Sequence, residues 1–196
     1  MTASGVHVMK LGSLMLAGAL ALTALPAQAQ EFSGRFLLET HDGKRVNDES
    51  FKGKVRMMAF GYTFCPDVCP TALSTMAAAL DLLGPQRAEQ VVPLFVTVDP
   101  KRDTRAQLKD YMSAFGPSFI GLTGTVQMTD AAARSFRVRY EIHQPADKDS
   151  DHYVVDHSAG IFIMDRNGGF AAKLGHTANA EDVADRLRQI IDGESK

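Results

Sequence analysis

The chain has 196 residues, enough for one domain with a full core and too few for two ordinary ones. Hydrophobic residues make up 45% and charged residues 22%, an ordinary globular composition without repeats, low-complexity tracts or heptads. A formal charge of −2 gives no reason to expect nucleic acid or another polyanion as a partner.

Residues 1–29 differ from the rest. Lys10 is their only charged residue, an apolar run follows from Leu11 to Leu25, and Ala27-Gln28-Ala29 is a small-x-small cleavage signal after Pro26. This pattern predicts a secretory signal peptide cut after Ala29, with Met9-Lys10 as a compact basic start. The apolar run is about 15 residues, short of the roughly 20 that span a bilayer. An uncleaved membrane anchor is the alternative. Residues 30–196 are then a single exported domain, placed in the periplasm. Outside the cytoplasm thiols tend to oxidise, which changes how cysteines are read.

"GRFLLET" (34–40) and "KRV" (44–46) predict a hairpin extension around "HDG". "KVRMMAFGY" (54–62) predicts a central strand. "TALSTMAAALDLLG" (71–84) has helical spacing and stops at Gly84-Pro85. "VVPLFVTV" (91–98) predicts a second buried strand, and "DTRAQLKDYMSAFG" (103–116) a helix. "SFIGLTG" (118–124) predicts a short strand, then "TDAAARSFRV" (129–138) a helix capped by Thr129 or Asp130. Residues 144–153 are polar and predict a mobile surface loop. "GIFIMD" (160–165) and "FAAKLG" (170–175) predict strands joined by an "RNGG" turn, and 179–192 a capped closing helix. Strand-helix-strand followed by a hairpin and a last helix predicts an α/β, thioredoxin-like fold.

The two cysteines lie in "GYTFCPDVCP", Gly61 to Pro70, each followed by proline. Proline is favoured at the first helical position, so Pro70 is expected there with Cys69 near the N-cap. The helix N-terminus favours a thiolate and is expected to lower the cysteine pKa. Three uses compete. A disulfide across so small a loop removes little unfolded-state entropy and is a poor staple. A redox pair is possible chemistry, although three residues separate the cysteines where redox proteins of this fold usually have two. Two thiolates also make a soft metal pincer. A cluster or structural zinc wants four protein ligands, and no further cysteine exists. Two sulfurs and one imidazole would point to copper.

Of the histidines, His41 reads as a surface residue in a turn, His143 and His152 as solvated flanks of the polar loop, and His176 as exposed. His157 lies in "YVVDHSAGIFIMD", between a β-branched run and a buried strand, on a connection able to face the cysteine loop. Asp99 and Asp67 read as turn or loop residues; the alternative for Asp99 is a supporting place near a metal or a weak fourth donor, and for Asp67 a similar place as a ligand. Asp156 is expected to point away from His157, because neighbours in a strand face opposite sides. Met57 and Met58 are expected in the core. Arg134, Arg137 and Arg139 form a basic cluster, either a solvated face or a docking patch.

Three blocks resemble the Sco/SenC family of thioredoxin-fold copper proteins tied to cytochrome c oxidase assembly. They are "GYTFCPDVCP", "VTVDPKRDT" (96–104) and "VDHSAGIFIMD" (155–165), in family order. The resemblance implies that Cys65, Cys69 and His157 bind one copper ion, as Cu(I) or Cu(II). It implies a metallochaperone that delivers copper to, or keeps reduced, the cysteines of the dinuclear copper centre in cytochrome c oxidase subunit II. Other periplasmic copper chaperones or thiol-disulfide proteins are further expected partners, and a monomer is expected. The rival functions are a thiol-disulfide oxidoreductase using Cys65 and Cys69, and copper or redox sensing. A peroxidase fits poorly: peroxiredoxins resemble one another in a threonine three residues before the reactive cysteine, where this chain has Tyr62.

Overall fold

The computed structural model describes residues 1–2, 32–144 and 152–193. The signal segment predicted over residues 1–29 and most of the polar loop at 144–153 lie outside them. Among the described residues no helix is long and apolar enough to cross a membrane.

The elements in chain order are β1 (Leu37–Thr40), β2 (Arg45–Asn47), β3 (Val55–Gly61), α1 (Val68–Leu83), α2 (Pro85–Ala88), β4 (Val91–Thr97), α3 (Arg105–Ser113) and β5 (Ile120–Thr123). They continue with α4 (Val126–Ser135), β6 (Tyr140–His143), β7 (Val154–His157), β8 (Ile161–Met164), β9 (Phe170–Leu174) and α5 (Ala180–Ile191). Seven strands form one sheet in the order β2-β1-β5-β4-β3-β8-β9. The central pairs β3–β4 and β4–β5 are parallel, and β8 runs antiparallel to β3. This is the thioredoxin-like α/β layer the pattern predicts. The N-terminal hairpin is part of the sheet, because β1 pairs with β5.

Every residue of β3 is buried, as its unbroken apolar run requires. Met57 and Met58 are fully buried in this strand, as expected. Alternate residues serve opposite faces of the sheet. Phe60 packs on Phe136 beyond the end of α4, ring centres 5.1 Å apart. Gly61, on the other face, lies against Cys69 of α1 and Phe95 of β4. Helix α1 packs on α5, each giving its apolar stripe: Leu73, Met76 and Leu80 from one, Val183, Leu187 and Ile190 from the other. Burying each such side chain is worth roughly 1.5–3 kcal/mol. Helix α5 opens with the expected cap, Asn179 and Asp182 exchanging side-chain-to-backbone hydrogen bonds.

Two helix starts differ from expectation. Helix α1 begins at Val68 with Asp67 as N-cap, so Cys69 and Pro70 are its second and third residues. The first intrahelical bond is donated by the Thr71 amide to Asp67. The earlier N–H groups have no helical partner, so proline is tolerated throughout that first turn. Helix α4 is capped by Thr125 rather than Thr129 or Asp130. Thr129 is buried inside it, and its hydroxyl donates back to the carbonyls of Thr125 and Val126.

Among the described residues, β6 and β7 pair only with each other, as an arm separate from the main sheet. The sequence pattern did not predict this hairpin. Its β6 strand, Tyr140-Glu141-Ile142-His143, lacks an apolar run, and its pairing with β7 spans the polar loop.

Candidate metal centre

Cys65 stands in the loop leaving β3, Cys69 in the first turn of α1, and His157 at the end of β7. The site thus lies beside the carboxyl end of the central strand, where open α/β sheets usually place their sites. Cys69 Sγ and His157 Nε2 are 3.2 Å apart. The two sulfurs and one ring nitrogen all lie within 4.8 Å of one another, the one group of three or more such donors among the described residues. Cys65 is half-buried, Cys69 buried, and both thiols are free. With metal–sulfur bonds near 2.3 Å and metal–nitrogen bonds near 2.0 Å, three donors around one ion stand about 3.5–4 Å apart. The cluster therefore fits a single ion with small side-chain movement. Two sulfurs and an imidazole are a donor set for a soft ion.

The electrostatics differ from the expected helix-lowered thiol. Burial pushes the Cys69 thiol well above the ordinary thiol range, and the neighbouring Cys65 sulfur reinforces it against the opposing Tyr62 backbone amide. Desolvation disfavours the thiolate here. A metal that takes Cys69 as thiolate must therefore displace a proton. Burial also holds the His157 imidazole below its ordinary pKa, against weaker opposition from the Ser158 carbonyl and Asp156. At neutral pH the ring is the neutral, ligating form.

A buried polar network underlies the loop. Asp103, fully buried, accepts hydrogen bonds from the Thr63 amide at 3.1 Å, the Thr63 hydroxyl at 2.7 Å and the Thr97 hydroxyl at 2.6 Å. It ties the residue two before Cys65 to the end of β4. Burial raises the Asp103 carboxyl from 3.8 to about 6 against the hydrogen bonds from Thr97 and Thr63, and the nearby Asp99 charge adds to the rise. Asp103 was not singled out in the sequence: it reads as the start of a helix, while Thr104 is the actual N-cap and the Asp103 side chain turns back. Tyr62 was missed too. Its ring meets that of His157 edge to face at 6.1 Å, and its hydroxyl accepts the Val155 amide hydrogen at 3.4 Å.

The other candidates separate cleanly. Asp99 is buried, bonded to Tyr153 and Arg102, and is not a member of the three-donor cluster. Asp67 caps α1 without a side-chain hydrogen bond. Asp156 faces away from His157, as expected, and meets His143 Nε2 at 2.8 Å. His152 and His176 are exposed. His41 is not a surface residue: its side chain is 13% exposed, and Nδ1 accepts the Gly121 amide hydrogen at 3.0 Å, holding the first hairpin to β5. In the basic cluster, Arg134 is paired with Asp130 one helical turn away.

Residues 25–192 match the family model described as SCO1/SenC. The SenC protein of Rhodobacter capsulatus is 38% identical over 162 residues, 83% of this chain and 72% of that protein. The sco1 protein of Schizosaccharomyces pombe is 38% identical over 154 residues, 79% of this chain; the match spans 59% of that longer protein. Among solved structures, Bradyrhizobium japonicum ScoI with copper bound is 38% identical, covering 82% of this chain and 99% of that one, with a TM-score of 0.73. Yeast Sco1 with copper bound is 34% identical, covering 82% and 88%, with a TM-score of 0.75. A family match over most of the chain, with the three donors of the family motifs gathered in one place, leaves one assignment: the chain belongs to the SCO1/SenC family.

Proposed function

We propose that Cys65, Cys69 and His157 hold one copper ion per chain and that the protein is an exported, periplasmic metallochaperone. Its acceptor is the dinuclear copper site of cytochrome c oxidase subunit II, to which it delivers copper or whose cysteines it keeps reduced. The observation that carries this reading is the convergence of two sulfurs and one neutral imidazole within 4.8 Å. Copper-bound structures of similar proteins support the choice of metal. Three donors of this kind suit Cu(I) in a trigonal site; Cu(II) takes an added donor and a more tetragonal arrangement. A three-donor site at a loop edge leaves room for an acceptor's ligands, so the ion passes through a shared-ligand complex.

The exposure difference between the cysteines favours a second reading. Cys65 is half-exposed and Cys69 buried, the asymmetry of an attacking and a resolving thiol, so thiol-disulfide exchange with a partner's cysteines uses the same residues.

The test is an anaerobic competition titration against a Cu(I) chelator, on the reduced protein and on His157→Ala. One tightly held copper, weakened tenfold or more in the variant, corresponds to about 1.4 kcal/mol and supports the three-donor site. Equal binding by both, or none by either, removes the metal reading and leaves the cysteines as a redox pair.

A further inference from the structure

The main sheet does not position His157. Among the described residues, its strand β7 pairs only with β6, so the short connection to β8 and side-chain contacts set the distance from His157 to the cysteines. The partner strand β6 is tied to α4 by the Tyr140 hydroxyl, which donates to Asp130 at 3.4 Å, and two attachments act on the strand of His157 itself. The nearer is the bond from the Val155 amide to the Tyr62 hydroxyl. The farther is a closed ring of three residues. The Tyr153 hydroxyl donates to Asp99 Oδ1 at 2.8 Å. Arg102 donates through Nε to Asp99 Oδ2 at 2.5 Å and through a terminal nitrogen to the Tyr153 carbonyl at 2.9 Å. The Arg102 guanidinium also stacks 3.5 Å from the centre of the Tyr153 ring. Asp99 and Arg102 belong to the body of the fold, just beyond β4; Tyr153 begins the arm.

The burial pattern makes this ring a lever. Tyr153 and Val155 are buried, Val154 and Asp156 are exposed, and His157 is half-buried. Alternate residues in an extended segment share a face, so the anchored side chain of Tyr153 and the ligating side chain of His157 are on the same side, four residues apart. The same Arg102 lies 4.8 Å from the ring centre of Phe64 and 5.4 Å from that of Tyr62, both in the segment leading to Cys65. One guanidinium thus touches the cysteine loop and the histidine arm together.

We propose that Tyr153, Arg102 and Asp99 are positioning residues that latch the β6–β7 arm to the body and so set the approach of His157 to Cys65 and Cys69. This inference rests on the copper reading only for its consequence; the latch itself does not need a metal.

The experiment uses the full protein and Tyr153→Phe, which keeps the ring and loses the one hydrogen bond to Asp99. Hydrogen exchange of the metal-free protein is read first. Losing a bond to a charged group opens the arm about tenfold more often, so the amides of residues 154–157 exchange about tenfold faster while those of β3 and β4 do not change. Cu(I) competition is read second, in the wild-type and His157→Ala backgrounds. Tyr153→Phe is expected to weaken copper several-fold in the first background and to have no effect in the second, because it acts through His157. Unchanged exchange in the arm overturns the latch whatever copper does. Equal weakening in both backgrounds, or faster exchange with unaltered copper affinity while His157→Ala alone weakens binding, overturns the positioning role. Faster exchange with His157→Ala neutral leaves the latch standing and removes the copper reading instead. Asp99→Asn, which keeps the shape and loses the charge, repeats the exchange measurement if Tyr153→Phe folds poorly.

Discussion

Gly61 lies directly beneath the thiol of Cys69: a Cβ atom at position 61 would stand 2.5 Å from Cys69 Sγ and 3.0 Å from the ring of Phe95. The last residue of β3 is therefore glycine because a helix side chain and a neighbouring strand's ring already fill that space. Gly61→Ala is expected to cost about 1–3 kcal/mol through overpacking. It should also push Cys69 away from His157 and weaken Cu(I) binding. Denaturant unfolding and chelator competition measure the two effects. An alanine variant with unaltered stability and affinity would contradict the packing described here.

Asp103 gives a pH signature. Its carboxyl titrates at about 6 in the fold against 3.8 in the unfolded chain, because burial disfavours the charge. Between those values the native state binds more protons than the unfolded state, so stability from this group falls as pH rises. The contribution is greatest below pH 4 and is lost by pH 6–7, a change of about 3 kcal/mol. Asp103→Asn removes this slope. The difference in unfolding free energy between wild type and variant, followed from pH 4 to pH 7, should drift in the variant's favour as pH rises. A flat difference would show that Asp103 titrates normally.

Met57 and Met58 are fully buried in β3, the place of packing side chains. Met57→Leu and Met58→Leu conserve volume and are expected to cost less than about 1.5 kcal/mol each. Copper affinity should stay unchanged in both. A selective loss of Cu(I) in either variant would make a methionine sulfur a fourth donor.

Oxidation should silence the site. Linking Cys65 to Cys69 removes two of its three donors, so the oxidised protein is expected to bind Cu(I) at least a hundredfold more weakly, about 2.7 kcal/mol, and to recover with a dithiol reductant. Titration before and after reduction, with free thiols counted by alkylation, decides this. Retained binding in the disulfide form would place the metal elsewhere.

Much of this protein is legible along the chain because local pattern suffices. The unbroken apolar run at 54–62 specifies a buried central strand, the asparagine–aspartate box at Asn179 and Asp182 specifies where α5 starts, and two cysteines with their prolines mark the turn between β3 and α1. The resemblance of three short blocks supplied the candidate donors. The approach of His157 to Cys69 is implied by that resemblance but not by the residue pattern itself, since 88 positions separate them and the arm that carries His157 is outside the main sheet. The direction of the Cys69 shift was not legible either. The helix terminus argues for a low pKa, whereas burial first and the neighbouring Cys65 second push the thiol up. The places of Asp103 and His41 are hidden for the same reason: nothing in a residue's neighbours along the chain says which distant amide or hydroxyl it will face. Periodicity and capping are local and survive in the sequence; desolvation and the meeting of distant polar groups exist only after the chain has closed on itself.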